Sequence, residues 1–169
     1  MSKNTRFLTH AAVIAALYAV LTHLQNVLLP GSTTWAIQMR LSEALCVLSF
    51  FTPAAIPGLT VGCLVFNITY AAALPLDFLV GSLATLLAAG GMWLTRRVTV
   101  NGYPLLGMAM PALFNALLVG WELTVYIGGG FFLNALYVAL GELAVLLTFG
   151  TVLYYAVKKR HLDTTVFSA

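Results

Sequence analysis

Apolar residues run along the chain in six long stretches, at about 7–29, 36–52, 54–74, 77–95, 104–127 and 131–157. Bilayer hydrocarbon is about 30 Å thick and takes roughly 20 apolar residues per helix, so the pattern predicts six membrane-spanning helices with no length left for a soluble domain. Proline and glycine mark the breaks between them, because both end helices where the backbone must turn. Pro30-Gly31-Ser32, Thr52-Pro53, Pro75-Leu76-Asp77, Asn101-Gly102-Tyr103-Pro104 and Gly128-Gly129-Gly130 supply the five turns. The expected architecture is a single domain, 1–169, an all-α integral membrane bundle of six transmembrane helices. The second stretch is the shortest and carries Gln38, Arg40, Ser42 and Glu43 in its first half, which predicts a tilted or partly sheltered helix. The first stretch follows Lys3 and Arg6 as a secretory signal would, but its apolar run is too long and lacks a small-residue cleavage site, so it reads as a retained helix.

Composition agrees with the pattern. Hydrophobic residues make up 61% and charged residues 8%, with a mean hydropathy of +0.96, against roughly 25% charge in a soluble domain. Lys and Arg are enriched in short cytoplasmic segments. Lys3 and Arg6 precede helix one, Arg96 and Arg97 follow helix four, and Lys158, Lys159 and Arg160 follow helix six, so seven of the eight basic residues place both termini in the cytoplasm. The sequence pI near 9.0 follows from this topology rather than from nucleic-acid binding. Cys46 and Cys63 are both intramembrane, and His10 and His23 are thirteen apart with no acidic neighbour, so neither a disulfide nor a metal site is expected.

What changes the picture is the placement of the acids. Glu43, Asp77, Glu122 and Glu142 all interrupt apolar sequence, and with this topology all four fall in the outer half of the membrane, as does Arg40. A charge at the bilayer centre costs about 2.5 to 3.5 kcal/mol on insertion scales, so such residues imply a partner or a task. Four carboxylates against one guanidinium suit a ligand that is cationic or rich in N–H donors. Asn115 and Glu122, and likewise Asn134 and Glu142, share helical faces by spacing. Trp35, Trp121, Tyr126 and Tyr137 stand near this level as aromatic platforms.

Each of these residues also has a plainer reading. Arg40 and Glu43, at i and i+3, pair with each other or reach a ligand. Asp77 caps the N-terminus of helix four or joins the site. Asn67 reads as an interhelical hydrogen-bond bridge. Trp35, Trp121 and Tyr126 form an interfacial aromatic belt or stack on a ligand. Glu122 and Glu142 lack an intrahelical cation at three or four residues, which favours a functional role. Ala11, Ala12, Ala15 and Ala16 make overlapping small-x-x-x-small pairs on helix one, for docking of a partner helix or for packing within the bundle.

Several activities lack their machinery. No phosphate-cradling G-x-x-x-x-G-K-[ST] loop, H-E-x-x-H zinc pair or G-x-S-x-G elbow is present. The halves show no matching broken helices of an inverted-repeat carrier. The chain reads as no enzyme, and energy for uptake would come from another subunit.

Three segments carry a resemblance. Gln38-Met39-Arg40-Leu41-Ser42-Glu43-Ala44-Leu45, Pro53-Ala54-Ala55-Ile56-Pro57-Gly58-Leu59 with Gly62-Cys63, and Asp77 through Ala89 resemble the queuosine precursor transporter family. With the alanine stripe, the whole chain is similar to a substrate-binding S subunit of an energy-coupling factor (ECF) transporter. The resemblance implies a multi-pass protein of a prokaryotic cell membrane that captures a 7-deazaguanine outside: the cyano or aminomethyl compound, or queuine. It implies no cofactor on this chain, a transmembrane scaffold subunit meeting Ala11, Ala12, Ala15 and Ala16, and two cytoplasmic ATPases that use ATP.

The residue chemistry suits such a ligand. A guanine-like edge offers adjacent N–H donors to one carboxylate, for which Glu122 or Glu142 is the candidate. Asn115, Asn134 or Arg40 would donate to the ring carbonyl, the aromatic residues would stack on the base at about 1–3 kcal/mol, and a second carboxylate would hold an aminomethyl ammonium. Glu43 and Asp77 complete the expected set. The rival is a stand-alone proton-coupled carrier or channel for a small cationic or nucleobase-like solute, in which the acids relay protons.

Overall fold

Long apolar runs become long helices wherever nothing interrupts them. A computed structural model describes residues 2–33, 39–70 and 73–167. Helix α1, Lys3–Leu28, starts at Ser2, whose side chain accepts from the Thr5 amide at 3.2 Å, and stops just before Pro30. Helix α2 is Ala55–Thr69 and α3 is Asp77–Thr95. A short α4, Leu105–Met108, leads into α5, Met110–Tyr126. Helix α6, Phe131–Val145, continues through a π-helical turn, Leu146–Gly150, into α7, Thr151–Lys159, and α8, Leu162–Thr165, follows. Among the described residues four helical runs are long and apolar enough to cross a membrane: Lys3–Leu28, Asp77–Thr95, Leu105–Tyr126 and Phe131–Lys159.

The second and third apolar stretches depart from expectation. Of the helix expected over 36–52, residues 36–38 lie outside the described residues, and the rest contains a ten-residue 3₁₀ helix, Leu41–Phe50, about 20 Å long at about 2 Å per residue. Helix α2 stops at Thr69 rather than 74, which leaves it about 22 Å long. Both fall short of the roughly 30 Å of hydrocarbon. The 3₁₀ helix is instead enclosed, touching α1, α2, α3, α6 and α7, and its Cys46 and Val47 lie in a core with Tyr18, Leu59, Cys63, Met92 and Leu146.

Small residues set the helix spacing. A Cβ added at Gly58 would stand 2.7 Å from the Ala11 carbonyl oxygen, and one at Gly62 would stand 2.7 Å from that of Ala15. The backbones of α1 and α2 therefore touch, and the alanine stripe divides: Ala11 and Ala15 are half-buried, while Ala12 and Ala16 remain exposed. Helices α5 and α6 approach as closely, with a Cβ at Gly120 meeting the Ala135 Cα at 2.8 Å.

An aromatic cluster closes one end of the bundle. Tyr154 packs on Phe50 and Phe51 with ring centroids 5.8 and 5.4 Å away, and Phe167 stacks on Phe51. Arg6 Nη2 donates to the Val166 carbonyl at 2.5 Å, so residues near the two ends of the chain meet, and Lys158 sits over the Tyr154 ring at 5.0 Å.

Candidate functional site

Three residues per turn put positions i and i+3 of a 3₁₀ helix directly above one another. Arg40, at the N-cap, therefore lines up with Glu43, Cys46 and Ser49, and all four are buried. The expected Arg40–Glu43 brace is not formed. Arg40 Nη2 reaches across to Asp77 Oδ2 at 3.2 Å, with its Cζ 5.7 Å from the centre of the Phe66 ring. Glu43 is engaged instead by the Tyr18 hydroxyl and by the Cys46 thiol at 3.1 Å. Nor does the Asp77 side chain cap a helix: Leu76 holds the N-cap position, and Asp77, the first residue of α3, turns its carboxylate to Arg40. The positive end of α3 favours that carboxylate as well. Asn67 joins α2 to α3 by donating to the Asp77 carbonyl at 2.8 Å.

Helices α5 and α6 present the other acids. They are antiparallel neighbours joined by the Gly128–Gly130 turn, so residues at one level have nearly constant number sums. Asn115 and Glu142 are such a pair, and Asn115 Nδ2 donates to Glu142 Oε1 at 3.1 Å. Asn134 does not accompany Glu142; it braces the turn by donating to Thr124 Oγ1 and the Gly128 carbonyl, both at 3.0 Å. Glu122 lies on the same buried face of α5 as Asn115, about 10 Å further along the helix. Among the described residues neither Glu122 oxygen has a partner, and Glu142 Oε2, Asp77 Oδ1, Asn67 Oδ1 and Arg40 Nε have none either.

Arg40 is common to both groups of acids. The charges acting on Glu122 are those of Asp77 and then Arg40, and those acting on Glu142 are Glu43 and then Arg40. Of the four acids, Asp77 is the one in direct contact with the guanidinium.

Of the expected aromatic platforms, three are described and none lies wholly within the buried face. Trp121 and Tyr126 are 49% and 41% exposed, Tyr137 is half-buried one position off the Val138–Glu142–Val145 line, and Trp35 lies outside the described residues. A polar stripe on α1 was not anticipated. Tyr18, Thr22, Gln25 and Asn26 are buried at spacings of four, seven and eight, the signature of one helical face, and that spacing inside an apolar run was the available signal. Thr22 Oγ1 donates to Ser42 Oγ at 2.7 Å, and Gln25 Oε1 accepts from the Leu41 amide at 2.8 Å, capping the 3₁₀ helix.

Long apolar helices around a buried cluster of acids define a helical membrane protein with a polar interior. A family model described as QueT transporter matches residues 8–159, and the chain belongs to that family. It is accordingly a multi-pass membrane transporter, not an enzyme. The comparisons with curated proteins and with solved structures find no match.

Proposed function

We propose that this chain is the substrate-capturing S subunit of an ECF-type importer and binds a 7-deazaguanine precursor of queuosine within its acid cluster. The carrying observation is that three carboxylate oxygens, both of Glu122 and Oε2 of Glu142, have no partner among the described residues although both side chains are buried. A buried acceptor without a donor costs about 1–3 kcal/mol, and more when charged. A ligand that brings its own N–H groups removes that cost, and the adjacent donors of a guanine-like edge match one carboxylate bidentately.

The remainder of the reading follows the membrane topology. The two short helices, packed among the long ones and so not required to span the full hydrocarbon thickness by themselves, complete six crossings, both termini lie in the cytoplasm, and the acids open outward. The exposed Ala12 and Ala16 meet the transmembrane scaffold, while two ATPases supply the energy, since this chain has no nucleotide loop. Calorimetric titration of detergent-purified protein with 7-deazaguanines tests the binding step. Glu142→Gln should weaken binding at least tenfold with the fold intact; no binding by the wild-type chain would end the proposal. Ala12→Trp should block uptake and scaffold co-purification while binding persists.

A further inference from the structure

Edge recognition leaves part of the cluster unexplained. Helix α3 has no side chain at Gly81, and a Cβ there would stand 2.8 Å from Asp77 Oδ1 and 2.9 Å from Asn67 Nδ2. The carboxylate and the amide thus converge over the glycine. The Asn67 amide nitrogen is already engaged by the Asp77 carbonyl, which leaves Asp77 Oδ1 and Asn67 Oδ1 as acceptors. Both residues are 5% exposed, and neither oxygen has a partner among the described residues. Glu122, wholly buried, adds two more bare acceptors. Ala84 of α3, three residues beyond Gly81, packs with Val119 and Leu123 of α5, which flank Glu122 in sequence, so the two helices meet at this level.

Charge and hydrogen bonding lead to the same ligand group. Arg40, with Nη2 on Asp77, offsets that one carboxylate, so an ionised Glu122 needs a cation of its own. Four acceptors ask for several donors, and the uncompensated charge asks for a cation. An alkylammonium supplies three N–H donors and one positive charge. We propose that Asp77, Asn67 and Glu122 form a subsite for a protonated amine carried by the ligand, while Glu142 with Asn115 reads the N–H edge of its heterocycle. This rests on the functional reading above and narrows it to deazaguanines bearing an alkylammonium substituent.

The experiment is calorimetric titration of the purified full chain with 7-aminomethyl-7-deazaguanine and with its neutral 7-cyano counterpart. The wild type should bind the amine at least tenfold tighter. Glu122→Gln should bring the two affinities within twofold by weakening the amine alone, whereas Glu142→Gln should weaken both alike. Asn67→Asp, which adds a carboxylate oxygen at the subsite, should widen the preference. Equal wild-type affinities, equal weakening of both ligands by Glu122→Gln, or a narrowed preference in Asn67→Asp would overturn the subsite. So would a tenfold gain in cyano affinity on replacing choline chloride by sodium chloride, which would give the position to a metal ion. Failure of the wild type to bind either compound would instead strike at the functional reading itself.

Discussion

Glu43 and Glu122 are two glutamates sealed inside one bundle, 2% and 0% exposed, yet their surroundings are opposite. Glu43 takes hydrogen bonds from Tyr18 on α1 and from Cys46 on its own 3₁₀ helix, while its neighbour Arg40 is neutralised by Asp77. Glu122 has no partner among the described residues. Around the 3₁₀ helix the Glu43 carboxylate is satisfied internally, although Arg40 Nε and Ser49 Oγ have no partner among the described residues, and those bonds fix its geometry. The region facing α5 and α6 keeps acceptors open, which is what a site whose donors arrive with the ligand requires. On the proposed reading the same side chain serves as scaffold in one place and as receptor in the other.

The comparison breaks most sharply at Arg40. Arg40→Met keeps the bulk but leaves Asp77 buried without a cation, and removing one partner of a buried ion pair costs about 3–5 kcal/mol. Thermal unfolding in detergent should show that loss, and the double variant Arg40→Met with Asp77→Leu should recover most of it. A single variant as stable as the wild type would mean that the pair contributes no scaffold at all. Tyr18→Phe is the milder probe. It deletes the hydroxyl donor to Glu43 and should lower stability by about 1–3 kcal/mol, while deazaguanine affinity stays within twofold in the same titration; a tenfold fall in affinity would move Tyr18 and Glu43 into the ligand contact.

Much of this arrangement is legible in the sequence, and the exceptions have physical causes. Uninterrupted apolar runs bounded by Pro75 and by the Arg96–Arg97 pair mark α3 directly, because helix length in a bilayer is set by hydrocarbon thickness. The stretch around Arg40 misled because an i, i+3 pair on an α-helix suggests a local ion pair. A 3₁₀ helix stacks that pair in line and frees Arg40 for a residue 37 positions away. Trp121 illustrates a different limit: adjacent in sequence to Glu122, it lies about 100° around the helix and so faces outward. The Asn115–Glu142 pair was within reach, since an antiparallel hairpin fixes which residues are level. Pairing along each helix overlooked it.

The smallest expected effect is the most discriminating, because its sign reverses. Glu122→Leu replaces an unpartnered buried carboxylate with an apolar side chain of similar size. Where Arg40→Met strands a charge, this substitution removes an unpartnered polar group, so stability should stay level or rise by about 1 kcal/mol. Binding should suffer nonetheless, since the acceptors at this position are then gone. Open acceptors that lower stability in the empty protein are the expected signature of a binding site, where function is maintained at the expense of the fold. Paired unfolding and titration measurements decide it. A gain in midpoint together with a loss of affinity sustains the division between scaffold and receptor, whereas a fall comparable to that of Arg40→Met would show that Glu122 is held by the protein as firmly as Glu43.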